Sequence, residues 1–123
     1  MTFKLSRRSL DRMKGVDERL VNVVKRAIEI SEVDFCVTEG LRTVERQKQL
    51  VAAGASQTMK SKHIEGKAVD LAAIVDGKIR WDWPLYIKIS IAMKRASEIL
   101  NTPIVWGGDW ITLKDGPHFE LKS

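Results

Sequence analysis

The residues that could do chemistry in this 123-residue chain are its two histidines and one aspartate inside an apolar run. Asp70 is flanked on both sides by Ala, Val and Leu, and a buried carboxylate is costly unless it is paired or binds a metal. His63 precedes this run, and His118 begins another short apolar segment. Two imidazoles and one carboxylate are typical of a catalytic zinc ion that keeps its fourth position open for water.

Asp115 lies three residues before His118 and is a candidate general base. The intervening Gly116-Pro117 predicts a turn, unlike the helical H-E-x-x-H arrangement. Asp115 could stay off the metal and take a proton from the attacking water, whose pKa zinc lowers toward about 7. The spacing leaves an alternative open, in which both histidines are structural and Asp70 caps a turn or forms a salt bridge.

Composition excludes several classes of protein. The single cysteine, Cys36, rules out an internal disulfide and cysteine-based zinc or iron–sulfur sites, so a zinc ion here would be catalytic. No apolar run approaches the roughly 18 residues of a membrane span, and the N-terminus turns polar too early for a signal peptide. We therefore expect a soluble protein made in the cytosol. With 21 Lys and Arg against 16 Asp and Glu, its net charge of +5 favours anionic partners without naming one.

Four helices are expected to position these residues. Apolar residues at helical spacing and polar capping residues predict them, and the last begins at Pro84 and runs to about Leu100. The expected caps are, in chain order, Ser6 or Ser9, Asp17, Thr43 and Asp82.

Short segments rich in β-forming residues predict an antiparallel sheet, with a hairpin turn at Asp76-Gly77. Cys36 is expected to point from the first strand into the core. Helices first and a small meander later indicate an α+β fold, a small antiparallel sheet with flanking helices, and the absence of linkers or repeats predicts one domain over 1–123. The predicted strands cover 34–38, 68–75, 78–81, 104–106 and 118–121.

The segment from Ser61 to Asp70 resembles a known signature. It reads S-x-H-x-x-G-x-A-x-D, similar to that of the zinc D-alanyl-D-alanine carboxypeptidases and their relatives, and Asp115-x-x-His118 resembles their second motif. More narrowly, the chain resembles the phage endolysins that are L-alanyl-D-glutamate peptidases. That resemblance runs in the expected order through residues 9–10, 37–42, 54–58, 106–110 and 115–121.

The resemblance implies roles for five residues. His63, Asp70 and His118 would bind Zn²⁺, and Asp115 would be the catalytic base, where many relatives have a glutamate. Arg42 would hold the substrate or stabilise the developing oxyanion, which suits a guanidinium with two parallel donors. The alternative for Arg42 is a surface ion pair with a neighbouring glutamate, Glu39 or Glu45.

Four further residues are candidates for contact with the substrate. Ser61 resembles the family serine that hydrogen-bonds at the substrate site. Trp106 and Trp110 bracket Gly107-Gly108-Asp109, and could line a substrate groove or equally belong to the core. Asp109 is also a candidate for contact with the substrate. It could instead hydrogen-bond a zinc-bound histidine.

The resemblance implies a zinc carboxypeptidase- and hedgehog-like fold and a zinc endolysin that hydrolyses the L-Ala–D-Glu bond of peptidoglycan stem peptides. We expect a monomer that waits in the host cytoplasm and acts on the wall after membrane permeabilisation. Two alternatives stay open: a D-alanyl-D-alanine carboxypeptidase on the same scaffold, and a non-enzymatic zinc-binding wall module. A nucleic-acid partner is not expected, since no recognition motif accompanies the charge.

Overall fold

The structure, a computed structural model, describes residues 2–55, 61–112 and 114–122. Helices flank one small antiparallel sheet in these ranges, which confirms the predicted α+β class. The elements are α1 (Arg7–Arg12), α2 (Glu18–Ile30), β1 (Asp34–Glu39), α3 (Val44–Ala52), β2 (Ala68–Val75), β3 (Lys78–Arg80), α4 (Trp83–Ile99), β4 (Ile104–Trp106), a 3-10 turn (Gly107–Asp109) and β5 (His118–Leu121).

Polar caps begin three of the helices where the sequence predicts them. The side chains of Ser6, Asp17 and Thr43 each accept a backbone N–H in the first turn of α1, α2 and α3. Each bond satisfies a donor that would otherwise have no partner inside the helix. Asp82 precedes α4, but among the described residues it makes no capping bond and its carboxylate pairs with Arg80 instead.

The β2–β3 hairpin turns at Asp76-Gly77, as predicted. Both residues have positive φ, 53° and 76°, as a two-residue type I′ turn requires. The turn sets Val75 opposite Lys78. β3 ends at Arg80, one residue earlier than expected.

The sheet has the strand order β1-β2-β5-β4, with β3 also paired to β2. All pairings are antiparallel, and the β2–β5 register places Asp70 opposite His118 and Ala68 opposite Glu120. Residues opposite each other in a ladder share a face of the sheet, and so do residues two apart on one strand. Asp70, His118 and Glu120 therefore project from one face, which we call the site face.

The opposite face, which we call the core face, is apolar and sealed. Phe35, Val37, Leu71 and Phe119 are each at most 1% exposed there. They pack with the buried sides of α2 and α4, so this face holds the hydrophobic core. In the described ranges, no helix combines the length and apolar character that crossing a membrane needs.

Cys36 does not point into the core, contrary to the prediction. Its neighbours Phe35 and Val37 occupy the core face, and because side chains alternate along a strand Cys36 lies on the site face, half-buried. Burial raises the pKa of the Cys36 thiol, which keeps it protonated and makes it a poor nucleophile.

Candidate metal centre and active site

Three side chains from three parts of the chain meet on the site face. His63 comes from the loop before β2, Asp70 from β2 itself and His118 from the first position of β5. One ligand atom from each residue lies within 4.8 Å of the other two. Only 3% of the His63 side chain and 9% of the His118 side chain are exposed. The fold thus brings together the ligand set that the sequence singled out.

His63 is oriented by a backbone carbonyl. Its Nδ1 lies 2.8 Å from the carbonyl oxygen of Gly40. Because a carbonyl can only accept, Nδ1 carries the proton and Nε2 presents its lone pair. Position 40 requires glycine because the chain passes close to the end of α1 here, and a Cβ would lie 2.2 Å from the carbonyl oxygen of Arg12.

His118 is oriented by a carboxylate. Its Nε2 lies 2.7 Å from Oε1 of Glu120, two residues further along β5 on the same face. An ionised carboxylate accepts only, so Nε2 carries a proton, and in the neutral ring Nδ1 presents its lone pair. The two rings therefore offer different nitrogens, Nε2 of His63 and Nδ1 of His118.

These two nitrogens converge on Asp70. Nε2 of His63 lies 3.3 Å and Nδ1 of His118 3.4 Å from Oδ1 of Asp70. Nevertheless, this buried oxygen has no hydrogen-bond partner among the described residues. When both rings are neutral, three acceptors face one another without a donor, which is unfavourable, and a cation between them would satisfy all three. The group could therefore hold a metal ion.

The charges around the group also call for a cation. Burial alone would raise the pKa of Asp70, but the two histidines outweigh it and the pKa falls below its usual range. Burial opposes a charge on His118, but the carboxylates of Asp70 and Glu120 outweigh it and raise the pKa of His118 to about 9. A proton on Nδ1 of His118 and a metal ion would each place positive charge beside the Asp70 carboxylate, so they compete for this site.

Arg42 lies beside the ligand group with most of its donors already bonded. Its Nε and Nη2 donate to the two carboxylate oxygens of Glu39 at 2.6 and 2.7 Å. Its Nη1 donates to Oε1 of Gln47 at 2.7 Å and lies 3.5 Å from Oγ of Ser61. Only 9% of the Arg42 side chain is exposed. The pair with Glu39 is present, then, but in a half-buried setting and not at the surface.

A β-bulge in β1 brings Glu39 to this position. Val37 pairs with Leu71, but Glu39 pairs with Asp70, so Thr38 and Glu39 together oppose one residue of β2. Such bulges re-aim a side chain, and are frequent next to active sites. The bulge thereby places the carboxylate that orients Arg42.

Asp115 lies on the turn that leads into β5, outside the group of three. Its backbone N–H donates to the carbonyl of Gly107, and its carbonyl accepts the N–H of His118. A Cβ at position 107 would lie 2.4 Å from the Asp115 carbonyl oxygen, so only glycine allows this approach. The indole N–H of Trp106 donates to the carbonyl of Gly116 at 2.7 Å. The turn is thus held on both sides of the Asp115 side chain.

The Asp115 carboxyl is in a setting that favours its protonated form. Burial, followed by the negative charge of Asp70, raises the pKa of Asp115, while His118, His63 and Arg42 act more weakly in the opposite direction. Asp115 is therefore within electrostatic reach of the ligand group and of Arg42. A carboxyl with a raised pKa holds a proton more readily, which suits a group that must accept a proton and later release it.

The family model described as phage L-alanyl-D-glutamate peptidase matches residues 1–122. The chain belongs to this family.

Named relatives of this phage peptidase family lie close to the chain in sequence and structure. The L-alanyl-D-glutamate peptidase of Escherichia phage T5 is 36% identical, over 99% of this chain and 91% of the relative. That of Listeria phage A118 is 31% identical over 99% of this chain, but only 43% of the relative is covered. The crystal structure of the L-Ala D-Glu endopeptidase ChiX of Serratia marcescens matches with a TM-score of 0.93 and 43% identity, covering 98% of this chain and 91% of that one.

In this member of the family, Asp109 makes no bond to His63 or His118 among the described residues. Its carboxylate is exposed and pairs with Nζ of Lys94 at 2.7 Å. The carboxylate that bonds a histidine of the group belongs to Glu120. Asp109 is the last residue of the 3-10 turn and pairs with Lys94 of α4, whereas Glu120 shares the face of His118 on one strand.

The two tryptophans of the family segment have different surroundings. Trp106 is 6% exposed and stacks between Trp83 and Phe119, so it belongs to the core and meets the site through its bond to Gly116. Trp110 is half-buried, and its ring centroid lies 5.1 Å from that of His118. Trp110 is thus the tryptophan of this segment that borders the ligand group.

Three residues that orient the site were missed by sequence reasoning. Gly40 and Glu120 hold the two histidine rings, and Gln47, which is fully buried, bonds Arg42. A signal existed for Glu120, because residues two apart on a predicted strand share a face, whereas the Gly40 carbonyl is 23 residues from His63 in the chain and the inward orientation of Gln47 depends on how α3 packs. Ser56, Gln57 and Thr58, part of the predicted resemblance, lie outside the described residues.

Proposed function

We propose that this chain is a zinc peptidase that hydrolyses the bond between L-Ala and D-Glu in the stem peptides of bacterial peptidoglycan. Membership of the phage L-alanyl-D-glutamate peptidase family supports the bond and the substrate. The observation that carries the metal-dependent chemistry is the convergence of two oriented imidazoles on an unsatisfied oxygen of Asp70.

The ligand types and distances favour zinc over calcium and magnesium. Ligands at the corners of a tetrahedron with bonds of ~2.0–2.1 Å lie about 3.4 Å apart. The two histidine nitrogens lie 3.3 and 3.4 Å from Oδ1 of Asp70. Calcium and magnesium prefer a shell of six or more oxygens, which two imidazoles do not supply. His63, Asp70 and His118 would therefore hold Zn²⁺, with a fourth position left for water or substrate.

When bound, the zinc ion would supply Lewis-acid polarisation of the scissile carbonyl and make the attacking water more acidic. Asp115 is the proposed general base. Its carboxylate takes the proton of the attacking water and then passes it to the amine of the departing D-Glu residue. The raised pKa of Asp115 and the rigid hold on its turn support this role, because the carboxyl must keep the proton between the two transfers.

Arg42 and Ser61 are the proposed contacts for the negative charge that develops on the substrate. Glu39 occupies the Nε–Nη2 edge of the guanidinium and Gln47 accepts one N–H of Nη1, so at the Nη1–Nη2 edge at most one N–H of each nitrogen is left for substrate. The Ser61 hydroxyl lies beside this edge at 3.5 Å, a length at which a substrate oxygen can replace the contact. Donors held in place before the reaction stabilise developing charge without having to reorganise.

The rim of the site supplies the remaining proposed substrate contacts. Trp110 borders His118 and is the proposed aromatic wall for the stem peptide. Asp109 lies one position earlier in an exposed ion pair, so it would act at the periphery of the bound peptide. Trp106 contributes through the turn that it holds.

We further propose that 1–123 act as one catalytic domain and as a monomer. As in a phage endolysin, the protein would wait in the host cytoplasm and reach the wall once the membrane is permeabilised. The family name and the phage relatives support this setting.

Digestion of purified peptidoglycan, followed by mass spectrometry of the muropeptides, tests the proposal. New L-Ala carboxyl ends and D-Glu amino ends are expected, and a chelator should abolish them. Release of D-Ala instead would identify a carboxypeptidase on the same scaffold. A digest that is unchanged by chelation would overturn the metal-dependent mechanism, and no cleavage by zinc-loaded protein would favour a non-enzymatic wall module.

A further inference from the structure

We infer that Glu120 is a positioning residue for the metal site. By accepting the proton of Nε2, it selects the tautomer of His118 in which Nδ1 is the ligand atom. This inference rests on the proposed metal site and assigns part of its affinity to a residue outside the ligand set.

The argument begins with the two nitrogens of the His118 ring. A neutral imidazole carries one proton, which can sit on either nitrogen, and only the other nitrogen can bind a metal. Nε2 lies 2.7 Å from Oε1 of Glu120, and Nδ1 faces Asp70. Without an acceptor at Nε2, the proton could move to Nδ1 and block the ligand position. The Glu120 carboxylate therefore favours the tautomer of His118 in which Nδ1 can bind a metal.

Glu120 is itself held by a second contact. Its Oε2 lies 3.6 Å from Nζ of Lys62, which also donates to the carbonyl of Leu121 at 3.0 Å. The two carboxylate oxygens are thus divided, one toward His118 and one toward Lys62. Since Lys62 directly precedes His63, the Glu120 carboxylate connects the strand of one ligand to the loop of the other.

The two histidines differ in whether a substitution can remove the hydrogen-bond partner that orients the ring. His63 bonds the backbone carbonyl of Gly40, which remains whatever side chain stands nearby. His118 depends on a side chain, and a single substitution removes its support. Partners of this kind orient metal-binding histidines and fix their tautomer. Substitution of Glu120 should therefore weaken metal binding while all three ligand residues are kept.

Zinc affinity, measured by competition with a chromophoric chelator, tests this role without an activity assay. We expect Glu120→Ala to bind Zn²⁺ about 10–100-fold more weakly than the wild type. Glu120→Gln should stay within a few-fold, because its amide oxygen can still accept from Nε2. Glu98→Gln, at an exposed carboxylate near the end of α4, is the matched control and should bind as the wild type does.

NMR of the imidazole nitrogens in the zinc-loaded wild type gives a second readout that does not depend on any variant folding. We expect the proton of His118 on Nε2. A proton on Nδ1, a Glu120→Ala protein with wild-type affinity, or a Glu120→Gln protein as weak as Glu120→Ala would each overturn the inference. A wild type that binds no zinc would instead overturn the proposed metal site, so the two failures are distinguishable.

Discussion

The two faces of the sheet use one backbone in different ways. Along β5, His118 and Glu120 project to the site face, while Phe119 and Leu121 project to the core face. The core face is held by apolar contacts, which are non-directional and tolerate small shifts. The site face depends on directional hydrogen bonds, such as that between His118 and Glu120. Substitutions on the two faces should therefore affect different properties. Those on the core face should lower stability, and those on the site face should lower activity or metal binding.

The largest effect is expected on the site face, at the proposed base. Asp115→Asn should lower the rate of peptidoglycan hydrolysis by about 10²–10⁴-fold, because the amide cannot take up the proton. Zinc affinity and the free energy of unfolding should stay close to the wild-type values, since the turn is held by backbone bonds. Full lytic activity in this variant would show that another group is the base.

The matching change on the core face is Phe119→Ala. It should lower the free energy of unfolding by about 3–5 kcal/mol, because Phe119 is fully buried and the truncation leaves a cavity. Denaturant unfolding measures this loss. Ile111→Ala is the control, since Ile111 is 95% exposed and its truncation should cost less than about 0.5 kcal/mol. Equal losses in the two variants would contradict the assignment of the core face.

Removal of the metal from the site face should lower the stability of the folded protein. A ligand that binds only the folded protein adds about 2.7 kcal/mol when its free concentration is 100 times its Kd. Chelation of the zinc-loaded protein should therefore lower its melting temperature. His118→Ala should melt at the same temperature with and without chelator, and a chelator-dependent shift in that variant would argue against His118 as a ligand.

Trp106 lies where the two faces meet, since its ring is in the core and its N–H holds the turn of Asp115. Trp106→Phe keeps most of the apolar ring but removes the donor to Gly116, so we expect a loss of about 1 kcal/mol in stability. Hydrolysis should fall further than zinc affinity does. Trp83→Phe, at the neighbouring stacked ring, is the control, and an equal loss of hydrolysis there would attribute the effect to stacking.

The smallest expected effect concerns Asp34, on the site face at the start of β1. Burial raises the pKa of Asp34 in the folded state, so its ionisation costs stability. The corresponding stability is present below the unfolded pKa of about 3.9 and is lost as pH rises through the higher folded value. Asp34→Asn keeps an acceptor for the N–H of Phe35. It should be slightly more stable than the wild type near neutral pH, with a difference that closes on acidification. Unfolding curves across this pH range would contradict the prediction if the difference widened in acid.

Much of the fold could be predicted because its signals are local. Caps at Ser6, Asp17 and Thr43 and the turn at Asp76-Gly77 depend on bonds within a few residues, and a short sequence window contains them. The alternation of β2 and β5 also separates core-facing from site-facing positions. The same alternation was available for Cys36, and its apolar character alone led to the wrong face.

The sequence by itself determined which residues could form a ligand set, since only two histidines exist and Asp70 stands in an apolar run. Only the tertiary structure decided which atoms of these residues meet. The Gly40 carbonyl, the Glu120 carboxylate and the β1 bulge select the ring nitrogens and orient Arg42. The Glu120–His118 bond follows from strand alternation once β5 forms. Hydrogen bonds are directional and act over about 3 Å, so the Gly40 contact and the bulge depend on loop path and strand register, which no local pattern of residue types specifies.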